Sequence, residues 1–116
     1  MSYLPVETTA DSGTLDQLHS ALARESRRLV LAYFEHTGTE TASLESLADY
    51  VVVHQQETQS TPKRAHIRLY HADLPMLADT DLIDYDAQTG RVRYRGAPAG
   101  VEAEEWSQYL AEGRVT

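Results

Sequence analysis

Residues Thr61 to Arg95 read TPKRAHIRLYHADLPMLADTDLIDYDAQTGRVRYR, and the fold turns on how they are parsed. Thr61 can cap a helix N-terminus, and Pro62 suits the first helical position, where a missing N–H costs nothing. Ile67, Tyr70, Leu74 and Leu77 recur at helical spacing and predict one buried stripe. Arg64, Arg68, His71 and Ala72 fall away from that stripe, so the exposed face is basic. Pro75 interrupts the pattern by removing a backbone bond and crowding the carbonyl of His71. Either the helix kinks there and continues, which is the favoured reading, or it stops and Asp73 caps a new turn. Leu82, Ile83 and Tyr85 then form a short strand, and Asp86 to Gly90 (DAQTG) a loop with Gly where a positive φ is needed. Arg91 to Arg95 alternates, with Val92 and Tyr94 on one face and Arg91, Arg93 and Arg95 on the other, the pattern of a half-buried strand.

A helix followed by a β-hairpin is the second half of a winged helix-turn-helix. The expected class is therefore mainly α with a β-hairpin wing, that is, α+β. Charge placement agrees. Thr61 to Arg95 holds six cations and five anions, a net +1, against −6 for residues 1–60 and −3 for residues 96–116. One segment escapes the acidity of the rest.

The remaining chain completes that plan. Residues 1–13 are polar and expected to be a disordered arm. Thr14 opens TLDQ, a capping box, and Leu15, Leu18 and Leu22 follow at helical spacing. A break near Arg24 to Ser26 lets Ser26 cap a second helix, which carries Leu29, Val30, Tyr33 and Phe34 inward and stops near Gly38. Thr37 to Ala42 reads as a polar loop. Ser43 caps a third helix with an apolar stripe of Leu44, Leu47, Ala48, Val51 and Val52. His54 to Ser60 is polar and not periodic, a loop or a frayed helix end, and would be the turn of the helix-turn-helix, longer than the usual tight one. Three parts result: the arm 1–13, a winged helix-turn-helix domain 14–95, and a linker with a C-terminal helix, 96–116, carrying Trp106, Tyr109 and Leu110.

Composition bounds the function. At 116 residues and 41% hydrophobic content the chain makes one domain. No apolar run approaches the ~20 residues that span a membrane, and the N-terminus lacks the pattern of a secretory signal. With no cysteine, disulfides and thiolate chemistry are excluded, and a cytoplasmic location is expected. A net charge of −8 opposes binding to nucleic acid. However, one lysine against nine arginines, with Asp and Glu spread throughout, fits a high-salt cytoplasm. There the Debye length falls to about 3 Å at 1 M salt and long-range repulsion is screened. The competing reading is an ordinary acidic surface.

The order of elements resembles winged-helix repressors of the arsenic-repressor type. DLPMLADTDLIDYD, Asp73 to Asp86, is similar to their pattern in which the recognition helix ends in HLxxLxxAGLV and passes into the wing. Leu74, Leu77, Leu82 and Ile83 take its apolar positions, and Asp81 stands where that pattern has a helix-ending Gly. SRRLVLAYF (Ser26 to Phe34), SLESLADYV (Ser43 to Val51) and LYHADLPMLADTDLIDYD (Leu69 to Asp86) look like a domain of unknown function common in halophilic archaea. The resemblance implies a winged helix-turn-helix and a DNA-binding role, with no ligand or catalytic residue.

The expected function is sequence-specific binding of double-stranded DNA and regulation of transcription. Lys63, Arg64, Arg68 and His71 would contact the major groove, where Arg to guanine is the commonest specific pair. Arg91, Arg93 and Arg95 would follow the backbone or minor groove. The plainer alternatives are an ordinary helix surface and a solvated strand face. Trp106, Tyr109 and Leu110 either pack on the chain's own core or, with Leu15 and Leu18 of the first helix, form a homodimer interface; the dimer is the favoured reading. No histidine pair has metal-ligand spacing on one helix face, no phosphate loop or nucleophile elbow is present, and neither a cofactor nor an enzymatic activity is expected. The rival reading is a winged-helix module for protein–protein interaction that does not bind DNA.

Overall fold

A computed structural model describes residues 16–113. The arm 1–13, the Thr14 capping box and Leu15 of the expected dimer interface lie outside the described residues.

Residues 16–22 are helical and form α1. After it come α2 (Glu25–Thr37), β1 (Thr41–Ser43), α3 (Leu44–His54) and α4 (Pro62–Arg68). A π-helical turn, Leu69–Asp73, joins α4 without a break to α5 (Leu74–Asp79). Strands β2 (Ile83–Asp86) and β3 (Arg91–Tyr94) form the hairpin, and α6 (Ala103–Glu112) follows. The class is α+β, with a three-stranded antiparallel sheet in the order β1-β3-β2. No helix among the described residues is long and apolar enough to cross a membrane.

Local chemistry explains most of these boundaries. Ser43 caps α3 as expected, its Oγ accepting from the Ser46 amide at 3.1 Å. Gly38, at φ 74°, ends α2 in the left-handed conformation that glycine adopts without a Cβ penalty. Ser26 does not cap α2, contrary to expectation. Arg24 is the residue preceding the helix and makes no side-chain cap, while the Ser26 hydroxyl donates instead to Asp73, far along the chain. The expected loop Thr37 to Ala42 also differs, because Thr41–Ser43 pairs with β3 as a short edge strand. TAS carries no apolar alternation, so nothing in it announces a strand.

The core is a single cluster. Val30, Leu31 and Phe34 of α2 meet Leu47 and Val51 of α3, Leu69, Leu74 and Leu77, Ile83 and Val92 of the sheet, and Trp106 and Leu110 of α6. Each fully buried side chain of this size contributes about 1.5–3 kcal/mol. The C-terminal helix therefore belongs to this core. The Trp106 indole N–H donates to the Tyr94 hydroxyl at 2.7 Å, and that hydroxyl donates to Glu35 on α2. The Tyr94 ring stacks on Phe34 at 5.1 Å. Glu102 and Glu105 form a capping box that fixes the start of α6.

This packing corrects the expected dimer interface. Leu18, Trp106, Tyr109 and Leu110 are all buried within the single chain, Trp106 to 1% exposure. Their apolar surface is consumed by the molecule's own core and is not presented to a second copy.

Candidate nucleic-acid interface

The helix α4 begins as its sequence demands. The Thr61 hydroxyl accepts from the Arg64 amide at 3.2 Å, with Pro62 in the first turn. Its orientation differs from expectation. Ala65 and Leu69 face the core, whereas Ile67 is 49% exposed and Tyr70 39%. Two residues of α-helix turn the chain through about 200°. Ile67, two after Ala65 and two before Leu69, therefore lies opposite the buried line. Lys63, Arg64 and His71 are exposed beside it.

The register error has one cause. A stripe read at 3.6 residues per turn cannot anticipate a π turn, which adds a residue and shifts every position beyond it. The turn sits immediately before Pro75. The Leu74 amide bonds the Leu69 carbonyl, five residues back, so the helix widens where Pro75 lacks an N–H and would crowd the His71 carbonyl. The helix does not stop there. Asp73 keeps helical angles (φ −72°, ψ −48°) and makes no cap bond.

Asp73 instead turns into the protein and is fully buried. It accepts from the Ser26 hydroxyl at 2.7 Å and from Arg27 Nη1 at 3.3 Å, and Arg68 Nε stands 3.6 Å away. Arg27 also donates to the carbonyls of Ala21 (2.9 Å) and Ser20 (2.8 Å). Burial pushes the Arg27 pKa down, against the opposing pull of the Asp73 carboxylate. One buried ion pair thus ties α1, α2 and the π turn together. Arg68 leans toward it, so it is less available to a ligand than Lys63 or Arg64. Ser26 and Arg27 stand 47 and 46 residues from Asp73, and no local pattern could have linked them.

The turn between α3 and α4 is fixed by a residue the sequence reading passed over. The Glu25 carboxylate accepts from the amides of Gln56 (2.7 Å), Glu57 (3.0 Å) and Thr58 (3.0 Å), and from the Thr58 hydroxyl (3.1 Å). Burial alone would raise its pKa, but these bonds outweigh it and hold the group below the ordinary carboxylate range. Gln55 and Ser60 close the same loop through two side-chain-to-backbone bonds, 2.8 and 3.0 Å. This staple sets where α4 starts relative to α2.

The hairpin corrects the expectation of a purely cationic face. Arg93 lies across from Asp84 and Thr41, and Arg91 from Asp86 and Ser43. The outer face of the sheet is therefore a column of arginines between a column of hydroxyls and a column of carboxylates. Arg95 closes an ion pair with Asp84 at 3.1 Å, both partners about half exposed. Tyr85 points to the other face, beside Val92, and its ring meets Tyr70 at 6.5 Å. Its hydroxyl is buried with no partner, and burial, with the charges of Tyr70 and Asp86 next, raises its pKa. Because Tyr85 is the contact to the helix side, Arg91 and Arg93 leave the sheet on the side turned away from α4. The cations thus occupy two surfaces: the helix line of Lys63 and Arg64, and the outer sheet face. Arg91 stands next to the hairpin loop.

Among the described residues no group of three or more His, Asp or Glu side chains is placed to hold a metal ion. His36 and His54 instead gather on Tyr50, His36 Nδ1 lying 3.1 Å from the hydroxyl and the His54 ring stacked at 3.9 Å.

The protein is thus an α+β domain with an exposed helix face at one side and a short three-stranded sheet at another. Its chain belongs to a family described as a domain of unknown function, DUF7344, whose model matches residues 19–93, from α1 into β3. No curated protein matches it, and no solved structure does.

Proposed function

We propose that the domain is a winged helix-turn-helix that binds double-stranded DNA and regulates transcription. The observation that carries the reading is the solvent face of α4. Lys63 and Arg64 are exposed at the start of a capped helix, and among the described residues neither closes an ion pair. Residues near the N-terminus of a recognition helix are the ones that reach base edges. In this reading α3, the Glu25-stapled loop and α4 are the helix-turn-helix, β2 and β3 are the wing, and Arg91 beside the hairpin loop reaches the backbone. Arg93 lies further along the outer sheet face, away from α4, while Arg68 stands 3.6 Å from Asp73 and Arg95 pairs with Asp84. The likeness to arsenic-repressor-type regulators and a high-salt cytoplasm as the working environment belong to the same proposal. So does a homodimer, built on a surface other than Leu18, Trp106, Tyr109 and Leu110.

A fluorescence anisotropy titration on a labelled random-sequence duplex, from low to near-molar salt, tests this. The expected result is saturable binding that a Lys63→Ala/Arg64→Ala variant loses by at least tenfold. Equal binding by that variant would reject the surface.

Two observations favour a second reading, a protein–protein interaction module. The carboxylates Asp84 and Asp86 flank the wing arginines, and Ile67 and Tyr70 are exposed. A stoichiometric protein partner, with no duplex bound at any salt, would select it.

A further inference from the structure

The most exposed large apolar side chain on α4 is Ile67, at 49%, and no contact among the described residues buries it. It lies opposite the buried Ala65–Leu69 line, so it adds nothing to the core. A β-branched residue in a helix interior also gives up side-chain freedom, so helix formation does not call for it. Its neighbours on the same face are Lys63 and Arg64 one turn before and His71 one turn after. The centre of the proposed reading face is therefore an apolar branched group set among cations and a hydrogen-bonding ring.

We propose, on the basis of the DNA-binding reading above, that Ile67 reads the 5-methyl group of a thymine in the major groove. That methyl is the one apolar group a base pair presents there, and it is met by apolar side chains. The adjacent cations set the occupant. Lys63 and Arg64 flank Ile67 with positive charge, which suits a groove walled by phosphates. Ile67 also forms part of a shallow groove against α3, lined by Glu45, Ala48 and Asp49 on one wall and by Pro62, Lys63 and His66 on the other. Those two carboxylates repel phosphates, so a base edge and not the backbone lies at that side. A carboxylate there accepts from a cytosine amino group. The site preferred by the helix accordingly contains a thymine whose methyl sits under Ile67.

The test uses the full chain and a pool of 20-base-pair duplexes with random interiors. After selection for bound duplexes, each thymine of the recovered site is replaced singly by deoxyuridine. Uracil keeps every hydrogen-bonding group of thymine and lacks only the methyl. Affinities are measured by anisotropy for the wild type and for Ile67→Ala, whose folding is checked by its melting temperature. One thymine position is expected to weaken wild-type binding about fourfold on replacement, the effect of losing one buried methyl-sized group. Ile67→Ala is expected to bind the thymine and uracil duplexes equally, at the weaker level. Wild-type binding that is indifferent to uracil at every position overturns the inference while leaving DNA binding intact. Unchanged discrimination by Ile67→Ala overturns it too, by placing the methyl against another side chain. Absence of any selected duplex overturns both this inference and the DNA-binding reading.

Discussion

Replacing Asp73 with asparagine keeps the shape of the side chain and removes its charge. The Ser26 hydroxyl retains an acceptor, since the amide oxygen can take the 2.7 Å bond. The buried Arg27 guanidinium, 3.3 Å away, loses its counter-ion. Breaking a buried ion pair from one side costs about 3–5 kcal/mol, because the remaining charge is left without compensation. For a domain of this size a melting temperature moves by about 4 °C per kcal/mol. The expected loss is therefore roughly 12–20 °C, a large share of the 5–15 kcal/mol typical of a domain. Thermal melts followed by circular dichroism give the value. A double-mutant cycle with Arg27→Met separates the pair from the Ser20 and Ala21 carbonyls that Arg27 also holds, with a coupling of about 1.5 kcal/mol or more expected. Hydrogen exchange should locate the loosening at the amides of the π turn. A loss below about 4 °C with no coupling would refute the assignment of this ion pair as the tie between α1, α2 and the π turn.

Glu25→Gln should cost about 1–2 kcal/mol at neutral pH, by weakening bonds to three amides and a hydroxyl. Because the folded pKa lies below the ordinary 4.5, that stabilisation is full above pH 4.5 and disappears as pH falls through the folded value. The gap in melting temperature between wild type and variant should then close on acidification, and a gap constant across that range would contradict the staple. Asp81 has φ 63° and ends α5 in a turn closed by bonds from its own amide to Ala78 and from Leu82 to Leu77. Asp81→Gly relieves a left-handed conformation worth about 1–2 kcal/mol, partly offset by glycine's entropy, so the melt should rise by a few degrees. Trp106→Ala should cost about 3–5 kcal/mol by opening the core and removing the bond to Tyr94. Differential scanning calorimetry should see that loss at every protein concentration, whereas a dimer anchor would give a concentration-dependent one.

Much of the architecture is legible from local rules. Thr61, Pro62 and Ser43 mark helix starts by chemistry that acts within three residues, and the DAQTG loop with the Val92/Tyr94 alternation marks the hairpin. The inward face of α4 is not legible in this way. The Ile67–Tyr70–Leu74 spacing looks like a stripe until the π turn before Pro75 shifts the register. β1 is hidden because TAS is three residues long with Ala42 its only apolar side chain, and it gains its strand character only from pairing with β3. Asp73 and Glu25 look like surface carboxylates because their partners lie tens of residues away. The arginine column of β3 looked purely cationic because the register that sets Asp84 and Asp86 beside it belongs to the pair of strands and not to either one alone.

The proposed role of α4 is tested most directly by the salt dependence of duplex binding. For wild type and Lys63→Ala/Arg64→Ala, the logarithm of the association constant is plotted against the logarithm of salt concentration on one random-sequence duplex. A cation brought into the phosphate-walled groove displaces counterions whether or not it also reaches a base edge, at about 0.9 in the slope for each phosphate neutralised, so loss of both side chains should flatten it by about 2. An unchanged slope and affinity, or no binding by the wild type at low salt, would contradict the account.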